Sequence, residues 1–504
     1  MIKYLLIGII LLSIDQCSFS QNFNRPVPAD LYPYAYTQYS AGYNFYLGIN
    51  PFLISANGQA ITNNVGRGVI LDQNGYIVWY QDTFALDIAR LGCFSYNSEH
   101  GFFQEVVTYS PDSMEFITLN NQFQVSSIVV PVGVKPDGHE YEITTDGHHV
   151  ITTASYDTMD LSGYTFSGTQ GSSATNVKCG GFQEFDNAGN LLFSWNSCDD
   201  VFPTEMYGFN YNPQNFDYFH INSVDETEDG HFIVSARHTN CVYKIDRGTG
   251  AILWRLGGVN SDFTFSGGTG FNFQHDARDL GNGRISIHDN GNLSTPKRSR
   301  ELIYQLDTVN WIATLENALE DSTLNYGRAM GSYRIYDGNS IVNYGFINRP
   351  SPSIIGFDQN DIKNFEISFQ DSVMNYRAIP FELDFTLPRP EISCLDSNGL
   401  VYLKAPNGFT NYEWSNGDLS QTTLPVVGET YQVYVPYGVG FLASLPFSYN
   451  GICDLQIEEN QVTTEKTLLR TIDLLGRDVK HQESGVVYIS VYSDGSTQKT
   501  LKGL

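Results

Sequence analysis

Apolar and polar residues alternate in short runs along most of the chain, and the runs are separated by turns rich in Asp, Asn and Gly. That period of two predicts half-buried β-strands joined as hairpins, with no long helical stretch. One hairpin recurs. A strand ends in a hydrophobic residue and usually Asp, a turn follows, and the next strand often carries an aromatic residue. The copies are GVILDQNGYIVWY from Gly68, MEFITLNNQFQVSSIV from Met114, FQEFDNAGNLLFSWN from Phe182, VYKIDRGTGAILWRL from Val242, LIYQLDTVNWIATL from Leu302 and IIGFDQNDIKNFEI from Ile354. Unequal spacing of one repeated unit fits a propeller with insertions better than a strict solenoid.

A second repeat precedes these hairpins. A short polar strand leads through a turn to an apolar strand in HEYEITTDGHHVITTA from His139, HINSVDETEDGHFIVSAR from His220, HDARDLGNGRISIHDNG from His275 and MGSYRIYDGNSIVNYG from Met330. The innermost strand of a propeller blade is short and borders the central channel. The leading residue of each copy is therefore expected at the axis, and three of these four leaders are histidine. The predicted fold is all-β: a six-bladed β-propeller over residues 22–385, a small immunoglobulin-like β-sandwich over 391–455 and a C-terminal β domain over 456–504. Leu387 to Pro390 reads as a linker between the first two.

The length of 504 residues leaves room for these domains. The aromatic content of 14% suits strands packed sheet on sheet. A net charge of −27 argues against nucleic acid and anionic membrane surfaces as partners. It also requires any site for an anion to be locally positive. Residues 1–20 read as a signal peptide: Lys3, an apolar run from Tyr4 to Leu12, then Ser18 and Ser20 before a cut at Gln21. The run is too short to span a bilayer, so a secreted or cell-surface protein without stable membrane insertion is expected. Six cysteines remain after that cut. Cys179 and Cys198 flank a predicted hairpin, Cys394 and Cys453 bracket the small domain, and Cys93 and Cys241 read equally well as free and buried.

The candidate chemistry lies with the leaders. An imidazole donates hydrogen bonds to an anion, moves a proton, or attacks sulfur or phosphorus. Arg237 ends the second strand of the His220 unit, and its planar fork suits sulfate or phosphate. Asn222 and Asn290 read as pocket supports. His148, His149, His231 and His238 fall in or beside turns, where exposure is the expectation, and His288 either faces the site or packs. Three histidines can also ligate a metal, but no carboxylate stands beside them at ligand spacing in this reading, so neither metal nor organic cofactor is expected. The Gly-rich GGVNSDFTFSGGTG from Gly257 reads as an insertion bordering the pocket.

The stretch from His220 to Asn290, with HINSV, SARHTNCVYKID, TGAILWRLGG, QHDAR and DNG in order, resembles the bacterial aryl-sulfate sulfotransferases, as do DGHEYEITTDG and MGSYRIYDGNSIV. The resemblance implies a six-bladed propeller. It also implies transfer of a sulfuryl group from a phenolic sulfate ester to a phenolic acceptor by a ping-pong route through a sulfated histidine. By motif, His275 matches the nucleophile, and His139, His220 and Arg237 match the residues that hold sulfate. TIDLLGRDV and SGVVYISVYSDG near the C-terminus resemble the sorting domain of the type IX secretion route, which makes that machinery an expected partner. Rival readings are a non-catalytic propeller that binds glycans or surface proteins, a phosphatase-like hydrolase, and a quinone-dependent dehydrogenase. TGAILW is similar to the blade signature of the last, but it occurs in one clear copy.

Overall fold

The computed structural model describes residues 24–453 apart from 30, 41–42, 55–65, 82–89, 98, 111–112, 209, 321–324, 348–350 and 398, together with 468–472, 477, 479, 487–492 and 497–501. The signal-like segment lies outside the described residues, as does the side chain of Cys93.

The repeated hairpin is the outer half of successive antiparallel sheets. Its Asp or Asn works as a turn lock. Asp72 accepts from the N–H groups of Asn74 and Tyr76, Asn120 from Gln122 and Gln124, and Asp186 from Ala188 and Asn190. Asp246, Asp307 and Asp358 do the same for their own turns. A side chain that satisfies two turn N–H groups reverses the chain tightly and fixes the register of both flanking strands.

Each sheet begins with the second repeat. The inner strand Lys135–Ile143 pairs with His149–Met159, then Thr175–Phe185 and Leu191–Asn196. Ile221–Glu226, Phe232–Ala236, Cys241–Ile245 and Ile252–Gly257 make the next sheet. His275–Asp279 opens another, followed by Arg284–Asp289, Arg300–Asp307 and Ile312–Leu319. Ser332–Tyr336 opens a sheet whose outer edge is the N-terminal strand Tyr34–Gln38. Arg90–Asn97 opens the sheet that precedes these. Val373–Phe381 pairs antiparallel with Tyr46–Leu53, so a late strand completes a sheet begun near the N-terminus. The inner strands contact one another in chain order, and Val373–Phe381 returns to Arg90–Asn97. The arrangement is propeller-like.

Large apolar side chains fill the spaces between sheets. Trp79, Phe94, Phe103 and Phe123 make one cluster, and Phe182, Trp195, Phe232 and Tyr243 another. Removing such surface from water is the main stabilising term. Around the axis the packing is ionic. Asp276 accepts from Arg278 (2.7 Å), from Arg334 (2.8 and 2.9 Å) and from the Tyr333 N–H (3.1 Å). Glu140 accepts from Arg377 at 2.6 Å and also pairs with Arg278. These pairs tie inner strands together, both neighbours and strands across the axis, next to His275. Buried ion pairs add little net stability, but losing one partner strands a buried charge and costs about 3–5 kcal/mol.

Residues 391–453 extend the first sheet. Gly440–Ala443 pairs with Ile77–Gln81, and Val433–Tyr437 and Glu413–Trp414 follow outward. Trp414, the centre of the NYEWSNGD signal, is fully buried with Leu403 and Val433. The linker expected at Leu387 to Pro390 is anchored: Arg389 donates to the carbonyls of Ala443, Ser444 and Ile77. Disulfides join Cys179 to Cys198 and Cys394 to Cys453, while Cys241 is a buried free thiol. A separate unit, Asp454–Leu504, carries Leu468–Ile472, Val487–Tyr492 and Thr497–Leu501 in one antiparallel sheet. Among the described residues no helix is long and apolar enough to cross a membrane.

Candidate active site

The four leading residues meet. His139, His220, His275 and Met330 all line one cavity of about 660 Å³, with Arg237 among them. His220 and Met330 hold φ values of 54° and 61°. That left-handed kink just before a strand is uncommon outside glycine and turns each side chain sharply from the strand direction. Gly331, next to Met330, has φ 103°. A Cβ there would lie 2.3 Å from His288 Nε2 and 2.8 Å from the Asn343 carbonyl, so only glycine fits.

Each histidine is oriented by a specific partner. Asn290 donates its amide to the carbonyls of Gly327 (2.7 Å) and Met330 (2.9 Å), which aims its oxygen at His275 Nδ1, 2.6 Å away. His275 Nδ1 therefore carries the proton and Nε2 the lone pair, facing the Met330 N–H at 3.2 Å. His220 Nδ1 lies 2.6 Å from Asp217, and His139 Nδ1 contacts Asp137. Lys178 stands between those carboxylates, 3.1 Å from Asp137 and 3.9 Å from Asp217. His238 donates from Nδ1 to the Asp217 carbonyl (2.5 Å) and accepts from Arg237 Nη1 (2.9 Å). The Arg237 guanidinium also packs 4.6 Å from the Phe273 ring centroid and donates to the Arg328 carbonyl at 3.2 Å. Its Nε–H is buried and meets no acceptor. A buried donor left unpaired is costly.

The electrostatics follow from burial and these pairs. Burial first, and the Arg237 charge second, hold the His275 imidazole well below its ordinary value. Burial also lowers His220, although Asp217 opposes it. Burial alone would raise the Asp137 and Asp217 carboxyls. The adjacent His139 and Lys178 in the first case, and His220 and Lys178 in the second, override burial and keep both below the usual carboxylate range. Burial brings Arg237 down to about 10, where it still carries its charge at neutral pH. The result is a neutral nucleophilic nitrogen beside a fixed cation.

Several expectations are corrected. Asn222 does not line the cavity. It lies fully buried beneath it, donating to the Gln274 carbonyl at 2.7 Å, next to His275. His238, read as exposed, is buried and holds Arg237. His149 is buried against Tyr141, and His148 is partly buried and pairs with Glu184. His288 is buried on Glu301, which raises it against the effect of burial. Carboxylates do stand beside the histidines: Asp217, His220 and His238 present ligand atoms within 4.8 Å of one another. Arg237 and Lys178 already bring cationic charge against that set. The Gly-rich segment does not border the cavity; its Thr264–Ser266 adds a parallel edge strand to Ile312–Leu319. The signal for Asp137 and Asp217 was in the sequence, two and three residues before His139 and His220. Lys178 gave none, because only the sheet brings it there.

No curated protein matches the chain. Solved structures share low similarity. A protein of unknown function from Bacteroides caccae is 10% identical with a TM-score of 0.39, over 67% of this chain and 99% of that one. The periplasmic gluconolactonase of Pseudomonas aeruginosa is 10% identical with a TM-score of 0.36, over 81% and 98%. Virginiamycin B lyase from Staphylococcus aureus is 9% identical with a TM-score of 0.33, over 74% and 96%. Similarity at this level says nothing about the chemistry of this chain. The family model described as Arylsulfotransferase (ASST), in contrast, matches residues 107–370, which is more than half of the chain and takes in all four leading residues. The chain belongs to the arylsulfotransferase family.

Proposed function

We propose that this protein, on a six-bladed propeller, moves a sulfuryl group from an aryl sulfate ester to a phenol by way of a sulfated His275. The observation that carries this reading is the convergence of three histidines and Arg237 on one cavity. In the first half, His275 Nε2 attacks sulfur, an N–S bond forms and the S–O bond to the aryl group breaks. The departing phenolate takes up a proton from a neighbouring imidazole. In the second half, an acceptor phenol gives its proton to an imidazole and attacks the same sulfur, and the N–S bond breaks. Splitting the transfer this way replaces one hard displacement by two easier ones. Arg237, His139 and His220 hold the sulfuryl oxygens as negative charge spreads over them, and the Met330 N–H, which donates to His275 Nε2 before attack, is released as the N–S bond forms. The Asn290 bond keeps His275 in the tautomer whose Nε2 is nucleophilic.

The test is incubation of purified protein with 4-nitrophenyl sulfate, with and without phenol. Sustained nitrophenolate release that needs phenol supports transfer. Equal release in water alone would make the protein a sulfatase, and no release with a range of aryl sulfates would favour a binding propeller.

The pH dependence is expected to follow His275. Protonation removes the attacking lone pair, and burial beside Arg237 disfavours protonation. The neutral form therefore persists as pH falls through 6.5, the ordinary imidazole value. In single-turnover kinetics of the donor half-reaction, the acid limb is expected below that value. An acid limb centred at or above it contradicts the assignment.

Export is part of the proposal. A signal peptide over residues 1–20 and a type IX sorting domain over 456–504 would deliver the enzyme to the cell surface or beyond. The antiparallel sheet within Asp454–Leu504 is compatible with a small β sorting domain.

A further inference from the structure

The cavity has a mouth unlike its floor. Lys297, Tyr326 and Arg328 line it on one side, and Phe52, Phe346 and Tyr376 form apolar wall. Lys297 and Arg328 are exposed, and among the described residues neither meets a carboxylate. That is unusual in a chain with 55 acidic and 28 basic residues, where the guanidiniums around the axis, Arg278, Arg334 and Arg377, are all paired.

Arg328 is also held in place. Its guanidinium carbon sits 3.9 Å from the Phe346 ring centroid, and the Arg328 backbone N–H donates to the Phe346 carbonyl at 3.0 Å. Its own carbonyl accepts from Arg237 (3.2 Å) and from Asn292 (3.0 Å). One residue thus links the cation of the floor to a cation of the mouth. The Lys297 ammonium lies 5.8 Å from the Tyr326 ring centroid. From floor to mouth the cavity offers an anion site, an aromatic wall and a second positive site that meets no carboxylate among the described residues. A global charge of −27 repels anions, so local cations of this kind are needed to draw and hold them.

We propose that Lys297 and Arg328 form a subsite for a carboxylate carried on the phenol ring away from its reacting oxygen, so that acidic phenols are the preferred acceptors. The proposal rests on the sulfuryl-transfer reading for the word acceptor, but its binding test does not depend on turnover.

The probes are 4-hydroxyphenylacetate and its neutral amide, 4-hydroxyphenylacetamide, which match in size and differ in charge. Calorimetry on the full chain is expected to give the acid about tenfold tighter binding, as for a carboxylate that meets two cations at once. In Lys297→Gln/Arg328→Gln that ratio is expected to fall to within about twofold, and in Lys297→Glu/Arg328→Glu to invert. Transfer from 4-nitrophenyl sulfate to the two phenols should show the same order of preference. Equal binding of acid and amide to the unmodified protein overturns the subsite. So does an acid preference that survives in the double variants, since the carboxylate would then sit on the floor. An acid preference that depends on the mouth, with no transfer to either phenol, leaves the subsite standing and removes the transfer reading instead.

Discussion

His275→Ala is expected to lower phenol-dependent release from 4-nitrophenyl sulfate by about 10⁴-fold or more, the scale on which removal of a covalent nucleophile acts. The size follows from the absence of a substitute. His139 and His220 turn their Nδ1 atoms to Asp137 and Asp217, which fixes their rings to hold an anion. His275 combines a ring kept neutral by burial and Arg237, an Nδ1 proton fixed by the uncharged Asn290 and an Nε2 lone pair, whereas carboxylates hold the Nδ1 atoms of the other two. The side chain is buried, so the thermal midpoint of the variant must be measured alongside its activity. A folded variant that keeps more than a few per cent of the wild-type rate would remove His275 from the role of nucleophile.

Arg237 should have the next largest effect. Arg237→Ala is expected to reduce kcat/KM by roughly 10²–10³-fold, the range for losing one preorganised donor to developing charge. Arg237→Lys should recover little of it. An ammonium restores the charge but cannot reproduce the planar fork that bonds both His238 and the Arg328 carbonyl and holds the charge at the cavity. Single-turnover rates with bound donor separate the two contributions. If the lysine variant matches the wild type, charge alone suffices and the geometry of the fork is irrelevant.

The parts of the fold that repeat were legible in the sequence. Asp72, Asp186, Asp246, Asp307 and Asp358 mark their hairpins because a turn lock needs a short acceptor at a set place before the turn. The leaders His139, His220 and His275 were legible for the same reason: the strand each precedes borders the axis, and repetition fixed the register. Lys178, Arg328 and Tyr376 were not legible. Arg328 and Tyr376 reach the cavity from a loop and a closing strand, Lys178 reaches Asp137 and Asp217 from the third strand of its sheet, and no periodicity links them to the leaders. His238 was misread because its burial comes from the Asp217 carbonyl and Arg237, contacts that the local sequence does not encode. The pairing of Gly440–Ala443 with Ile77–Gln81 within one sheet was hidden likewise, since edge strands carry the same alternation whether or not they find a partner.

The central claim is that sulfur is bonded to His275 between donor and acceptor. The measurement is peptide mapping by mass spectrometry after mixing the protein with 4-nitrophenyl sulfate in the absence of phenol. One SO₃ group on the peptide that carries His275, discharged when phenol is added, is the predicted result. Efficient transfer with no adduct, or an adduct confined to another residue, would contradict it.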